Sequence, residues 1–109
     1  MAIKFDEFIK VFLEGASELA KETFGDFEAQ AKEDAKAFIE KAETDLKRWT
    51  KLLAERKITE QDFSDLVQSK RALAEIHALG LLGISLTKLE RFRSGLINLV
   101  IDTAFDTLL

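Results

Sequence analysis

Apolar residues recur every eleven positions through the first half of the chain. Phe5, Ala16, Phe27, Phe38 and Trp49 form one series, Ile9, Ala20, Ala31, Ala42 and Leu53 a second, and Leu13, Phe24, Ala35 and Leu46 a third. An eleven-residue repeat corresponds to about 3.67 residues per turn, the period of a nearly straight or slightly right-handed helix. The three series therefore make one apolar stripe, and the pattern predicts helix over residues 3–55. The stripe crosses Gly25 without losing phase, so a single continuous helix is expected. The alternative is a stop at Gly25, with Asp26 capping a new helix. Charge fills the other face. Glu28 with Lys32 and Glu43 with Lys47 have the favourable i,i+4 orientation, while Glu14, Glu18 and Glu22 form a like-charged ladder. The ladder reads as a solvated face rather than an acidic docking surface.

The helix should end near Arg56, with a turn at Lys57-Ile58-Thr59. Thr59 suits an N-cap because Asp62 stands three residues on, in a box-like arrangement, and Ile58 can pack against Phe63 as a staple. Helical spacing then resumes with Phe63, Leu66, Val67, Leu73 and Ile76. Between Arg71 and Lys88 the only charge is Glu75, and residues 95–101 form a second apolar block. Read as helix, these blocks are apolar nearly all round, which predicts burial on several sides. Gly80 and Gly83 could interrupt the helix, and Ser85 or Thr87 could cap a new one.

The two halves flank the turn almost equally. Paired antiparallel, they place residue i near residue 115 − i, since Arg56 and Thr59 bracket the turn. Ala31 and Ala35 then face the region of Gly80 to Ile84, where small side chains permit close approach. A two-helix hairpin cannot cover a helix that is apolar on several sides. The expected fold is therefore a single all-α domain over residues 1–109: a long antiparallel hairpin that assembles into a four-helix bundle, most simply as a homodimer. The alternative is a monomeric four-helix bundle with breaks near Gly25 and Gly83. The candidate self-association surface is Ile76, Leu79, Gly80, Leu82, Gly83, Leu86, Leu96 and Val100. At the open end, Asp102 and Asp106 are the only charges after Arg93, and the macrodipole disfavours them there. The register brings Asp106 towards Lys10, with Lys4 further out, so that Leu108 and Leu109 pack against Phe5, Phe8 or Phe12.

Composition narrows the chemistry. The 109 residues include no Cys and no Pro, which removes disulfides, thiolate metal sites and Cys nucleophiles. The net charge of −4 sits entirely in residues 1–55; the remainder is neutral. An acidic chain without a basic stripe argues against nucleic acid and against electrostatic docking to anionic lipid. Asp6 and Glu7 interrupt any signal-peptide core, and the uncharged run 76–87 is too short to span a bilayer. A cytoplasmic protein with no transmembrane segment is expected.

Candidate catalytic groups are few. The single His77 has Ala74, not Glu, three positions before it, so the Glu-x-x-His element of di-iron bundles is missing. It reads as a hydrogen-bonded core residue. No nucleophile–base pair can be assembled around it, and the carboxylates are expected on solvated faces. Two basic–aromatic clusters, Lys47-Arg48-Trp49 with Lys51 and Lys88 with Arg91-Phe92-Arg93, read as members of the apolar stripe with snorkelling basic stems rather than membrane anchors. No catalytic residue, metal ligand or cofactor is assigned.

An eleven-residue amphipathic period also occurs in lipid-surface proteins such as the exchangeable apolipoproteins. The likeness covers the first half, is one of periodicity without a motif, and assigns no family. The leading expectation is a non-enzymatic, self-associating helical interaction or scaffold protein. The runner-up is a reversible lipid-surface binder that opens its bundle.

Overall fold

Every element in the computed structural model, which describes residues 3–108 and the side chains of 5–108, is helical. Three long helices, α1 (Ile3–Phe24), α2 (Glu28–Ala54) and α5 (Leu86–Leu108), carry most of the chain. Between them lie α3 (Glu60–Gln68), a 3-10 turn (Arg71–Leu73) and the single turn α4 (His77–Gly80). The long axis measures 42 Å and the two short ones 23 and 21 Å.

The apolar stripe marks the core. Ala16, Ala20, Ala31, Ala35, Phe38, Ala42, Leu46, Trp49 and Leu53 are buried, and Ile9, Leu13, Phe24 and Phe27 pack against them. Phe8, Phe12, Phe38, Phe63 and Phe92 are fully buried, each contributing about 1.5–3 kcal/mol. Trp49 is a core residue, with the Lys70 ammonium 5.7 Å and the Arg48 guanidinium 6.0 Å from its ring. Both therefore lie within cation–π range.

The continuous first helix does not form. Gly25 takes φ 75° and its N–H donates to the Lys21 carbonyl at 2.9 Å, a left-handed C-terminal stop. The N-cap of α2 is Phe27 rather than Asp26, at φ 69° and without a side-chain cap. Glu28 turns back across the bend to accept from Ser17 Oγ at 2.9 Å and to pair with Lys21 at 3.6 Å, rather than with Lys32. The stripe keeps phase because periodicity records which side of each helix is buried, not whether the axis runs straight. Glu43 and Lys47 do pair, at 3.2 Å.

At the other end of α2, Arg56 (φ 59°) closes a Schellman motif. Its N–H donates to the Leu53 carbonyl, and that of Lys57 to the Leu52 carbonyl. The capping box follows: Asp62 N–H donates to Thr59 Oγ1 at 3.0 Å, and Thr59 N–H to Asp62 Oδ2 at 3.1 Å.

The antiparallel register survives the bend. Gly15 stands against Leu99, Leu19 against Gly95 and Phe24 against Phe92. Asp34 meets Leu79, Lys41 meets Glu75 and Asp45 meets Lys70. All six pairs lie within two positions of 115 − i. The hairpin is thus doubled on itself within one chain, so that α1 packs on both α5 and α2. At the open end, among the described residues, no ion pair joins Lys10 to Asp106. An exposed pair of that kind gains too little to hold two side chains together. Leu108 packs against the core, whereas Leu109 and the Lys4 side chain lie outside the described residues.

The uninterrupted central helix expected over 76–86 does not form either. Ile76 (φ 39°) and Gly83 (φ 74°) take left-handed conformations, leaving α4 as four residues between irregular segments. The second apolar block is helical and buries Leu96, Ile97, Val100 and Ile101.

Candidate functional site

The segment from Ala74 to Leu86 combines an anchored inner side with an uncovered outer side. Its inner side is held by Ile76 and Leu79, both buried, and by polar contacts from distant elements. Asp34, on α2, is only 6% exposed. Its Oδ1 accepts the N–H of Ala78 at 2.8 Å and its Oδ2 that of Leu79 at 3.0 Å. These are the second and third residues of α4, the donors that an N-cap side chain normally satisfies. Ile76 occupies the cap position and has no side chain able to do so. Asp34 therefore caps α4 from another helix. Arg93, on α5, donates from Nε to the Ala74 carbonyl at 2.8 Å.

Ion pairs line the approach to the segment. Lys41 lies 2.7 Å from Glu75, and its hydrogen bond holds the Glu75 carboxyl below the ordinary 4.5. Lys70 lies 2.7 Å from Asp45, and its hydrogen bond holds that carboxyl below 3.8. Arg71 bridges to Glu90 at 3.2 Å and donates to Ser94 Oγ at 2.7 Å.

The outer side exposes three leucines among polar residues and glycines. Leu81 is 75% exposed, Leu82 41% and Leu86 80%. The geometry explains their exposure. Phe92 pairs with Phe24 at the last residue of α1, with ring centroids 5.5 Å apart. The six residues of α5 before Phe92 rise about 9 Å further, where α1 no longer offers a partner. Leu86 thus lies beyond the end of α1, and with Leu81 and Leu82 of the same exposed segment it makes up a tip. Lys88 and Arg91 flank it, both exposed and outside every ion pair among the described residues.

The residues expected to form a self-association surface divide between two environments. Ile76, Leu79, Leu96 and Val100 are buried within the chain, whereas Gly80, Leu82, Gly83 and Leu86 are exposed at the tip. Leu81, absent from that set, is among the most exposed apolar side chains. His77 is exposed rather than a core residue, because α4 is one turn long and turns only Leu79 fully inward. Asp34 contradicts the reading of all carboxylates as solvated. Its sequence signal was its position: with Ala31, Ala35 and Phe38 around it at helical spacing, Asp34 falls on the buried face.

A shallow groove of about 220 Å³ lies between α1 and α5 and is rimmed by Glu18, Glu22, Asn98 and Asp102. Its floor is set by two glycines. A Cβ on Gly15 would lie 2.9 Å from Leu99 Cδ1, and one on Gly95 2.7 Å from Leu19 Cδ2. Each leucine occupies the space a side chain on the facing helix would need. Among the described residues, no group of three His, Cys, Asp or Glu side chains is placed to hold a metal ion. No helix among them is long and apolar enough to cross a membrane. No family model, curated protein or solved structure matches the chain.

Proposed function

We propose that the protein is a non-enzymatic, self-associating helical interaction module, and that the tip at Leu81, Leu82 and Leu86 is where a second copy is met. The observation that carries this reading is the exposure of three neighbouring leucines on a segment whose other side is anchored by Asp34 and Arg93. Single apolar residues are common on protein surfaces, but three exposed leucines within six positions of one anchored segment make a candidate contact site. The anchoring matters because a pre-ordered surface loses less freedom on association. Light scattering across a concentration series tests the proposal. Wild type should show mass rising towards a dimer, and Leu81→Ser/Leu86→Ser should remain monomeric with unchanged helix content. Equal masses for the two proteins would refute it.

A second reading follows from Lys88 and Arg91 beside the same leucines: reversible attachment to a lipid surface, with the tip inserted and the basic residues at the headgroups. Flotation with anionic vesicles tests it. Retention of wild type but not of Leu81→Ser/Leu86→Ser would favour lipid over a second copy.

A further inference from the structure

We infer that two copies associate by exchanging halves of the fold, with 25–27 and 81–85 as paired hinges. The inference rests on the self-association reading and specifies its geometry. The chain is built as two leaves. One consists of α1 and α5, joined by the reciprocal Gly15–Leu99 and Leu19–Gly95 contacts. The other consists of α2, α3 and α4, joined by the Asp34 cap and the Lys41–Glu75 and Lys70–Asp45 pairs. Contacts within each leaf obey the 115 − i register of a straight hairpin, so opening the molecule leaves them intact.

Only contacts between the leaves are lost on opening. Lys47 Nζ over the Phe5 ring at 5.6 Å, the Phe63–Phe105 rings at 6.1 Å, the Ser17–Glu28 hydrogen bond and the bonds of Arg93 to Ala74 and of Arg71 to Glu90 and Ser94 belong to this set. Each can be remade with the opposite leaf of a second copy.

Both connections between the leaves lie at one end of the molecule, as a hinge requires. At the first, Phe27 holds a left-handed conformation that L side chains rarely adopt, with no side-chain cap to favour it. A continuous α1–α2 helix releases that strain. It also fuses the two parts of the apolar stripe, which are already in phase. At the second, Gly83 is left-handed with nothing within 4 Å of where a Cβ would be. In the exchanged dimer, residues 3–54 form one helix roughly 78 Å long, against the 42 Å length of the closed chain. The hinges of the two copies cross at its centre. Leu81, Leu82 and Leu86 therefore meet their counterparts at the two-fold axis, which accounts for an apolar sequence at a position that the closed chain leaves bare.

The absence of cysteine allows a direct test by light scattering and cross-linking between chains. Ser17→Cys and Glu28→Cys proteins, neither position being core, are mixed, unfolded, refolded at high concentration and treated with a short thiol-to-thiol cross-linker. Exchange places 17 of one copy against 28 of the other, so a covalent heterodimer is expected. Phe5→Cys with Lys47→Cys provides a second pair far from the hinges. Gly25→Ala, which disfavours the left-handed bend, should shift the closed-to-open ratio by about fivefold per chain.

A wild-type dimer that fails to cross-link at both pairs, but is lost in Leu81→Ser/Leu86→Ser, overturns the exchange and leaves self-association through the tip standing. A monomeric wild type whose Gly25→Ala variant forms a cross-linkable dimer supports the exchange geometry and overturns self-association of the native chain. Monomers throughout overturn both.

Discussion

Removing the carboxylate of Asp34 should weaken this fold more than any other single loss of charge. In Asp34→Ala, the N–H groups of Ala78 and Leu79 lose their acceptors at 2.8 and 3.0 Å. Neither has an alternative within α4, since the first N–H groups of a helix have no intrahelical partner. A lost cap costs about 1 kcal/mol for one N–H, and hydrogen bonds to charged acceptors contribute ~1.5–3 kcal/mol each. Leu79 is fully buried and Ala78 half-buried, so water can replace only one of the two bonds well. The expected loss is therefore about 2–3 kcal/mol, or roughly 10 °C or more in melting temperature for a domain of this size. Asp34→Asn keeps one acceptor oxygen and should lose about half as much. Urea denaturation followed by far-UV circular dichroism measures both, and amide exchange at Ala78 and Leu79 shows whether the opening is local. A loss below about 0.5 kcal/mol for Asp34→Ala, or equal effects of Ala and Asn, would refute the account of α4 as capped from α2.

Gly95→Val, introduced where a Cβ would lie 2.7 Å from the end of the flexible Leu19 side chain, should destabilise by about 1 kcal/mol, with Leu19→Ala in the same chain recovering part of it. Fully additive losses in the double variant would show that the two residues do not compete for space. Asp45 and Glu75 both have carboxyls held below their ordinary values of 3.8 and 4.5 by Lys70 and Lys41. Their contribution is therefore complete above those values and is lost as pH falls through the lower folded ones. Urea midpoints should stay level from neutrality to roughly pH 5 and fall below roughly pH 4, with Lys70→Ala/Lys41→Ala flattening the acid limb. An unchanged acid limb in that variant would assign the loss to other groups.

What the sequence determined by itself are the features that local spacing enforces. The eleven-residue stripe named the buried face from Phe5 to Leu53, and Thr59 with Asp62 marked the start of α3. Both depend on residues within a few turns of each other. The antiparallel register followed from one well-defined turn between two equal halves. Tertiary structure decided where the helices break, because the groups that stabilise the breaks come from elsewhere. The first N–H groups of α4 are satisfied by Asp34, more than forty residues earlier, and the Ala74 carbonyl just before it by Arg93, nineteen residues beyond Ala74. The bend at Gly25 is stabilised by packing α1 against both α2 and α5, which a periodic pattern cannot distinguish from a straight helix packed on another chain. For the same reason the exposure of Leu81 and Leu86 was not legible: an apolar run reads as core until the neighbouring helix is seen to end before reaching it.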